Sequence, residues 1–207
     1  LLTFYYLKTM KKQILFVFAA LIMVALATSC QKVPQEQIDA AKAAIESVRA
    51  AQGDLYVPEE FGALQDSLSS AMAAIEVQKS KTFKNFDKVR TSLETIIQTA
   101  PTVIENVETA KEQVKLATEE EIESIKGLLE ENNLLMAKAP KGKEGKAVLL
   151  EIKNEMDMIE NSIAEITELI ATGDYLKAQA QAKAAKESLM GIHNELSEAI
   201  AKVGGKK

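Results

Sequence analysis

Residues 86–117 read FDKVRTSLETIIQTAPTVIENVETAKEQVKLA, and this stretch decides the fold. Its apolar positions are Phe86, Val89, Leu93, Ile96, Ala100, Val103, Val107, Ala110, Val114 and Ala117. They step by three and four without a break, which is the seam of helices packed at small crossing angles. The register passes straight through Pro101. A helix ending at Ala100 and restarting after a loop would lose phase, so the pattern predicts one long helix, kinked where proline removes a hydrogen bond and its ring meets the preceding turn. Past residue 117 the register slips by one residue over 118–123 and resumes at Ile125, Leu128, Asn132 and Leu135. The expected helix covers about 82–137, on the order of 80 Å at ~1.5 Å per residue.

The same stepping extends outward in both directions. Ile38, Ala41, Ile45 and Val48 form one stripe, and Phe61, Leu64, Leu68, Ala71 and Ile75 form another. Downstream, Leu149, Ile152, Met156, Ile159, Ile163, Ile166 and Ile170 are followed by Tyr175, Ala178, Ala182, Ala185, Leu189, Ile192, Leu196, Ala199 and Val203. Punctuation separates them. Pro34 suits a first helical position and Gly53 a C-terminal stop. Pro58 with Glu59 and Glu60 suits a helix start, because acids favour the positive end of the helix dipole. Residues 80–82 read as a turn, 138–146 as a basic loop containing Pro140, Gly142 and Gly145, and 172–174 as a tight connection with Asp174 in an N-cap position. The predicted fold is all-α, an elongated antiparallel helical bundle or coiled coil.

The expected organisation is a first helical unit over 35–137, the basic loop over 138–146, a helical hairpin over 147–203 and a flexible tail over 204–207. Phe61, Leu68, Met72 and Ile75 lie 91 residues before Ile152, Ile159, Ile163 and Ile166. Such an offset arises from a true internal repeat or from the alignment of any two heptad segments. If it is a repeat, the layout is two three-helix units sharing the long helix, similar to spectrin-like arrays.

Composition agrees with long helices. Apolar residues make up 47% of the chain, aromatics only 5%, and Trp is absent. Nine Gly and four Pro are too few for a β protein that turns every few residues. Of the 25 basic residues, Lys8, Lys11 and Lys12 fall within 1–29, and none of the 30 acids does. The remainder therefore carries 22 basic against 30 acidic residues, a net charge of −8. That balance argues against a nucleic-acid partner, which needs a basic stripe to displace counterions from phosphate.

The N-terminal region carries an address. Lys11 and Lys12 precede an uncharged run at 14–27, ILFVFAALIMVALA, and then come Thr28, Ser29 and Cys30. A basic start, a short apolar core and small residues at the cut define a secretory signal peptide over 1–29, with Met10 read as the start. The run is shorter than the ~20 residues of a membrane span. Cys30 is the only cysteine, which excludes an intrachain disulfide and a cysteine metal cage. The string Ala27-Thr28-Ser29-Cys30 resembles the bacterial lipobox, although the usual Leu three residues before the Cys and the usual Gly or Ala just before it are replaced by Ala27 and Ser29. The resemblance implies that Cys30 is diacylated and becomes the mature N-terminus, with 30–34 as lipidated anchor and linker. It also implies that Gln31, in place of Asp, sorts the protein to the outer membrane, facing the periplasm.

A second likeness covers about a third of the chain. Residues 40–44 read AAKAA, residues 56–60 read YVPEE, and residues 83–86 read FKNF. This resembles an uncharacterised family of short helical domains in bacterial envelope lipoproteins, whose pattern is an Ala-rich helix, a Tyr-Ala-Pro-x-Glu turn and a helix pair opening on an aromatic. The opening at Phe83 departs from the family's Tyr. Residues 174–178, DYLKA, with Ala182 and Ala185, match that element better. The likeness brings no catalytic residue and implies only an envelope location.

Few residues of the chain stand in a pattern that chemistry would need. His193 is the only histidine and flanks the core positions Ile192 and Leu196; Met190 stands where a di-iron bundle would place Glu. No nucleophile elbow or phosphate-binding glycine loop is present. Glu119, Glu120, Glu121 and Glu123 lack the turn glycine of a calcium loop and point to different helix faces. Met72, Met136, Met156 and Met190 read as core filler. Asn132 at a core-like position either sets register or marks a phase error of one residue. Tyr56 and Val57 before Pro58 suit a hydrophobic staple.

The expectation is therefore a non-enzymatic, lipid-anchored helical spacer or interaction module of the cell envelope, with no cofactor, no metal and Cys30 as its modified residue. The alternative is a periplasmic carrier or chaperone that shelters an apolar ligand between its helices. Lys138, Lys141, Lys143 and Lys146, offset only by Glu144, suit a salt-sensitive contact with anionic envelope polymers.

Overall fold

A computed structural model describes residues 31–140 and 142–204. The expected signal peptide, Cys30, Lys141 and the last residues of the tail lie outside them. Every regular element among the described residues is helical: α1 (Gln35–Ala50), α2 (Gly53–Tyr56), α3 (Pro58–Lys79), α4 (Asp87–Lys138), α5 (Lys143–Thr172) and α6 (Tyr175–Gly204). The all-α expectation is met. The chain divides into two compact units at Val107 and Glu108, so α4 contributes its first part to one and the rest to the other.

In the first unit, α1, α3 and the start of α4 bury one seam each. Ile38, Ala41, Ile45 and Val48 face Phe61, Leu64, Ala71 and Ile75, and Phe86, Val89, Leu93, Ile96, Ala100 and Val103 complete the core. Each fully buried Leu or Ile contributes roughly 1.5–3 kcal/mol. The unit runs up, down and up. α2 bridges α1 and α3 at one end, and residues 80–86 join α3 to α4 at the other. Near the first end, Asn106 Nδ2 donates to Glu60 Oε2 at 2.8 Å.

Two boundaries differ from the expectation for identifiable reasons. α1 ends at Ala50, and the left-handed residue after it is Gln52, at φ 75°, not Gly53. Gly53 opens α2 and is buried, because a Cβ there would lie 2.5 Å from Val48 Cγ1. The glycine therefore serves close approach, not a positive φ. Downstream, α4 begins at Asp87, five residues later than expected. Phe83 does not open the helix and is 65% exposed, while Phe86 is fully buried and its carbonyl accepts the Arg90 N–H at 2.9 Å.

α4 runs unbroken through Pro101, which is exposed, so the lost hydrogen bond falls on the solvent side. The register change is earlier than the apolar pattern suggested. Ala117 is exposed and Thr118 is buried, 11 residues after Val107. Across that interval Ala110, Lys111, Val114 and Lys115 are all half-buried. Eleven residues over three turns is 3.67 per turn, closer to the natural 3.6 than a heptad, so the seam crosses it without distorting the helix. Thr118 satisfies its hydroxyl by donating to the Val114 carbonyl at 2.7 Å.

In the second unit, Ile122, Ile125 and Leu129 of α4 pack with Ile152, Met156, Ile159 and Ile166 of α5 and with Ala178, Ala182, Leu189, Ile192 and Leu196 of α6. The alanines of α6 let α5 approach closely. Gly173, at φ 84°, ends α5, and its N–H donates to Ile170 O at 3.2 Å. Met156 is core and Met72 and Met136 are half-buried, but Met190 is 50% exposed and fills nothing. No described helix is long and apolar enough to cross a membrane.

Candidate functional site

The residue after Cys30 is tied into the first unit. The Phe86 N–H donates to Gln31 Oε1 at 2.7 Å, and Gln31 Nε2 donates to Asp87 Oδ1 at 2.9 Å. The side-chain amide thus caps the start of α4, where backbone N–H groups have no partner within the helix. Asn85 adds to the cap, its Oδ1 accepting the Asp87 N–H at 2.9 Å. Arg90 Nη2 donates to the Lys32 carbonyl at 3.4 Å, Val33 packs against the core and Pro34 is buried. Residues 31–34, within the expected anchor and linker over 30–34, are docked on the first unit. Pro34 was expected inside the helix and instead precedes it, its carbonyl accepting the Ile38 N–H at 3.1 Å.

The expected basic loop is shorter than 138–146, because α5 begins at Lys143. Lys138 is exposed in the last turn of α4, Lys146 is exposed in α5, and Lys143 opens α5. Ala139 is buried, and Gly145 lies in α5, where a Cβ would come within 2.4 Å of the Pro140 carbonyl oxygen.

A second polar cluster lies inside the second unit. Asn132 is fully buried, its Nδ2 donates to Leu189 O at 2.9 Å, and its Oδ1 lies 3.1 Å from His193 Nδ1. Glu131 Oε2 stands 3.9 Å from the same ring nitrogen. Of the two readings of Asn132, burial removes the phase error of one residue. The cluster joins an amide, an imidazole and one carboxylate, with no hydroxyl or thiol nucleophile among these contacts. The acidic run does not converge: Glu121 pairs with Lys186 at 3.4 Å and Glu123 with Lys126 at 2.7 Å. No group of three His, Cys, Asp or Glu side chains among the described residues is arranged to hold a metal.

Grooves run along both units. One of about 570 Å³ between α3 and α4 is lined by Ser67, Ser70, Ser92, Thr95 and Thr99 as well as apolar side chains. Another of about 350 Å³ lies between α5 and α6, beside Met158, Ile159 and Ala184, where the Ser188 hydroxyl donates to Glu155. The pocket under the α4–α5 connection measures about 190 Å³ and is lined by Ala139, Val148, Leu149 and Leu196. That is below the ~300 Å³ at which sites enclosing a small molecule begin.

No family model, characterised protein or solved structure matches the chain.

The long helix was legible in the sequence, but the role of Gln31 was not. A single Gln carries no signal of its own; the donor it satisfies lies 55 residues away.

Proposed function

We propose that this chain is a non-enzymatic, lipid-anchored helical interaction module of the bacterial cell envelope, held at the outer membrane by acylated Cys30. The observation that carries this reading is the position of the sole cysteine, directly after Ala27-Thr28-Ser29 at the end of a short apolar run that follows Lys11 and Lys12. Two or three long acyl chains, at ~0.8 kcal/mol per buried methylene, make desorption negligible. The fold supports the reading in a second way: Gln31, the residue after Cys30, is hydrogen-bonded to the start of α4, which keeps the first unit close to the anchored residue. The faces of such a module that meet a partner are its solvent-facing helix surfaces. Exposed Leu116, Leu134, Met158 and Met190 give those surfaces apolar contact points.

Metabolic labelling with a fatty acid, followed by membrane fractionation, tests the anchor. Wild-type protein takes up label and sediments with membranes, while Cys30→Ser does neither. An unlabelled wild-type protein, or a mutant that still sediments, removes the reading.

A further inference from the structure

We propose that the end of the first unit formed by residues 31–34 and 80–88 is a docking face for the anionic phospholipid surface that receives the acyl chains of Cys30. The proposal rests on the lipid-anchored reading above and names a contact that this reading does not require.

Three observations converge on that end. The first is charge. Residues 31–34 and 80–88 contain Lys32, Lys81, Lys84 and Lys88 and one acid, Asp87. None of the four lysines is paired with an acid among the described residues. Asp87 is engaged by the Gln31 amide. Glu36, in the first turn of α1, still leaves the end basic, whereas the chain after residue 29 is acidic overall. A local basic cluster on an acidic protein matches an anionic lipid surface, to which each lysine near the headgroups adds attraction.

The second observation is Phe83. It lies between Lys81 and Lys84, 65% exposed, in a connection that has no helical structure from residue 81 to 86. A phenyl ring held in water by a lysine-rich turn gains by entering the interface, while the lysine stems lie along the acyl boundary and their ammonium groups reach the phosphates.

The third is reach. Gln31, the residue that follows Cys30 in the chain, is held by two hydrogen bonds to the start of α4. Acyl chains entering the bilayer at Cys30 therefore bring this end, and not the α2 end of the same unit, to the headgroups. A flexible tether would have removed that constraint.

The chain has no Trp, so a single introduced indole reports on one place. Phe83→Trp and, at the opposite end of the unit, Leu55→Trp replace exposed residues. Each full-length variant is produced in a bacterial host, purified in detergent and reconstituted into phosphatidylcholine vesicles with and without phosphatidylglycerol. Nitroxide-labelled lipid serves as quencher, and the mass of the N-terminal peptide reports acylation. The expected result is a blue-shifted, lipid-quenched indole for Phe83→Trp on anionic vesicles, weaker on neutral vesicles, and none for Leu55→Trp. Adding Lys81→Glu and Lys84→Glu should abolish the shift with circular dichroism unchanged. An acylated protein whose Phe83→Trp indole stays water-exposed overturns the docking face and leaves the anchor standing. Equal quenching of the two indoles, or of the Phe83→Trp indole on neutral and anionic lipid alike, also overturns it. A protein without acyl groups on Cys30 overturns both readings.

Discussion

The side-chain amide of Asn132 donates to the main-chain carbonyl of Leu189 at 2.9 Å, in the fully buried seam between α4 and α6. A polar side chain at a core position lowers stability but selects one alignment of the helices, because any shifted register leaves the amide without its partner. His193, one turn beyond Leu189 on α6, faces the amide oxygen of the same Asn at 3.1 Å. The pairing therefore fixes α6 against α4 both along and around its axis.

Asn132→Leu is expected to cost less than Asn132→Ala, since it keeps the side-chain shape and loses only the hydrogen bonds of the amide. Asn132→Ala should cost about 1–3 kcal/mol through the lost bond and the cavity. Urea unfolding of both variants checks the order. A destabilised Leu variant with a neutral Ala variant would show that packing volume does not matter at this site.

Core assignment in the second unit is tested at Leu189, which is fully buried. Leu189→Ala should cost about 2–5 kcal/mol. Leu189→Asp, like Ile159→Asp, should cost about 4 kcal/mol or more by leaving an unpaired charge inside. The neighbouring Met190→Ala should change stability by less than about 0.5 kcal/mol, because that side chain is exposed. Thermal melts followed by circular dichroism suffice; equal losses at 189 and 190 would overturn the observed register of α6.

Gly53 and Gly173 differ in mechanism. Gly53→Ala drives a methyl group into Val48 and should cost about 1–3 kcal/mol by overpacking. Gly173→Ala meets nothing within 4 Å but sits at φ 84°, and should cost about 1 kcal/mol of backbone strain. The double variants discriminate: Val48→Ala should relieve most of the Gly53→Ala penalty and none of the Gly173→Ala penalty.

Pro101 stands inside α4 on its exposed face. Pro101→Ala restores an N–H donor to the Ile97 carbonyl and should stabilise the chain by about 1–3 kcal/mol. A lower melting temperature for this variant would mean that the first unit depends on the geometry that proline imposes.

Sequence alone determined the seams. From Ile38 to Leu196, most positions in the three-four pattern are buried, because side-chain direction on a helix follows from its periodicity and needs no partner to define it. The lipid anchor proposed at Cys30 rests on composition and order along the chain alone. Tertiary structure alone decided where the elements begin and which exceptions they carry. Helix α4 starts at Asp87 because the Gln31 amide, 55 residues upstream of Phe86, satisfies that donor. Gln52 takes the left-handed position, and Gly53 is instead required because Val48 leaves no room for a Cβ there. The seam shifts to Thr118 because α4 leaves one core at Val103 and enters another at Ile122, and the 11-residue step between Val107 and Thr118 follows the natural winding of the helix. In each case the deciding atom belongs to another segment or another core, and a contact of that kind leaves no periodic trace along the chain.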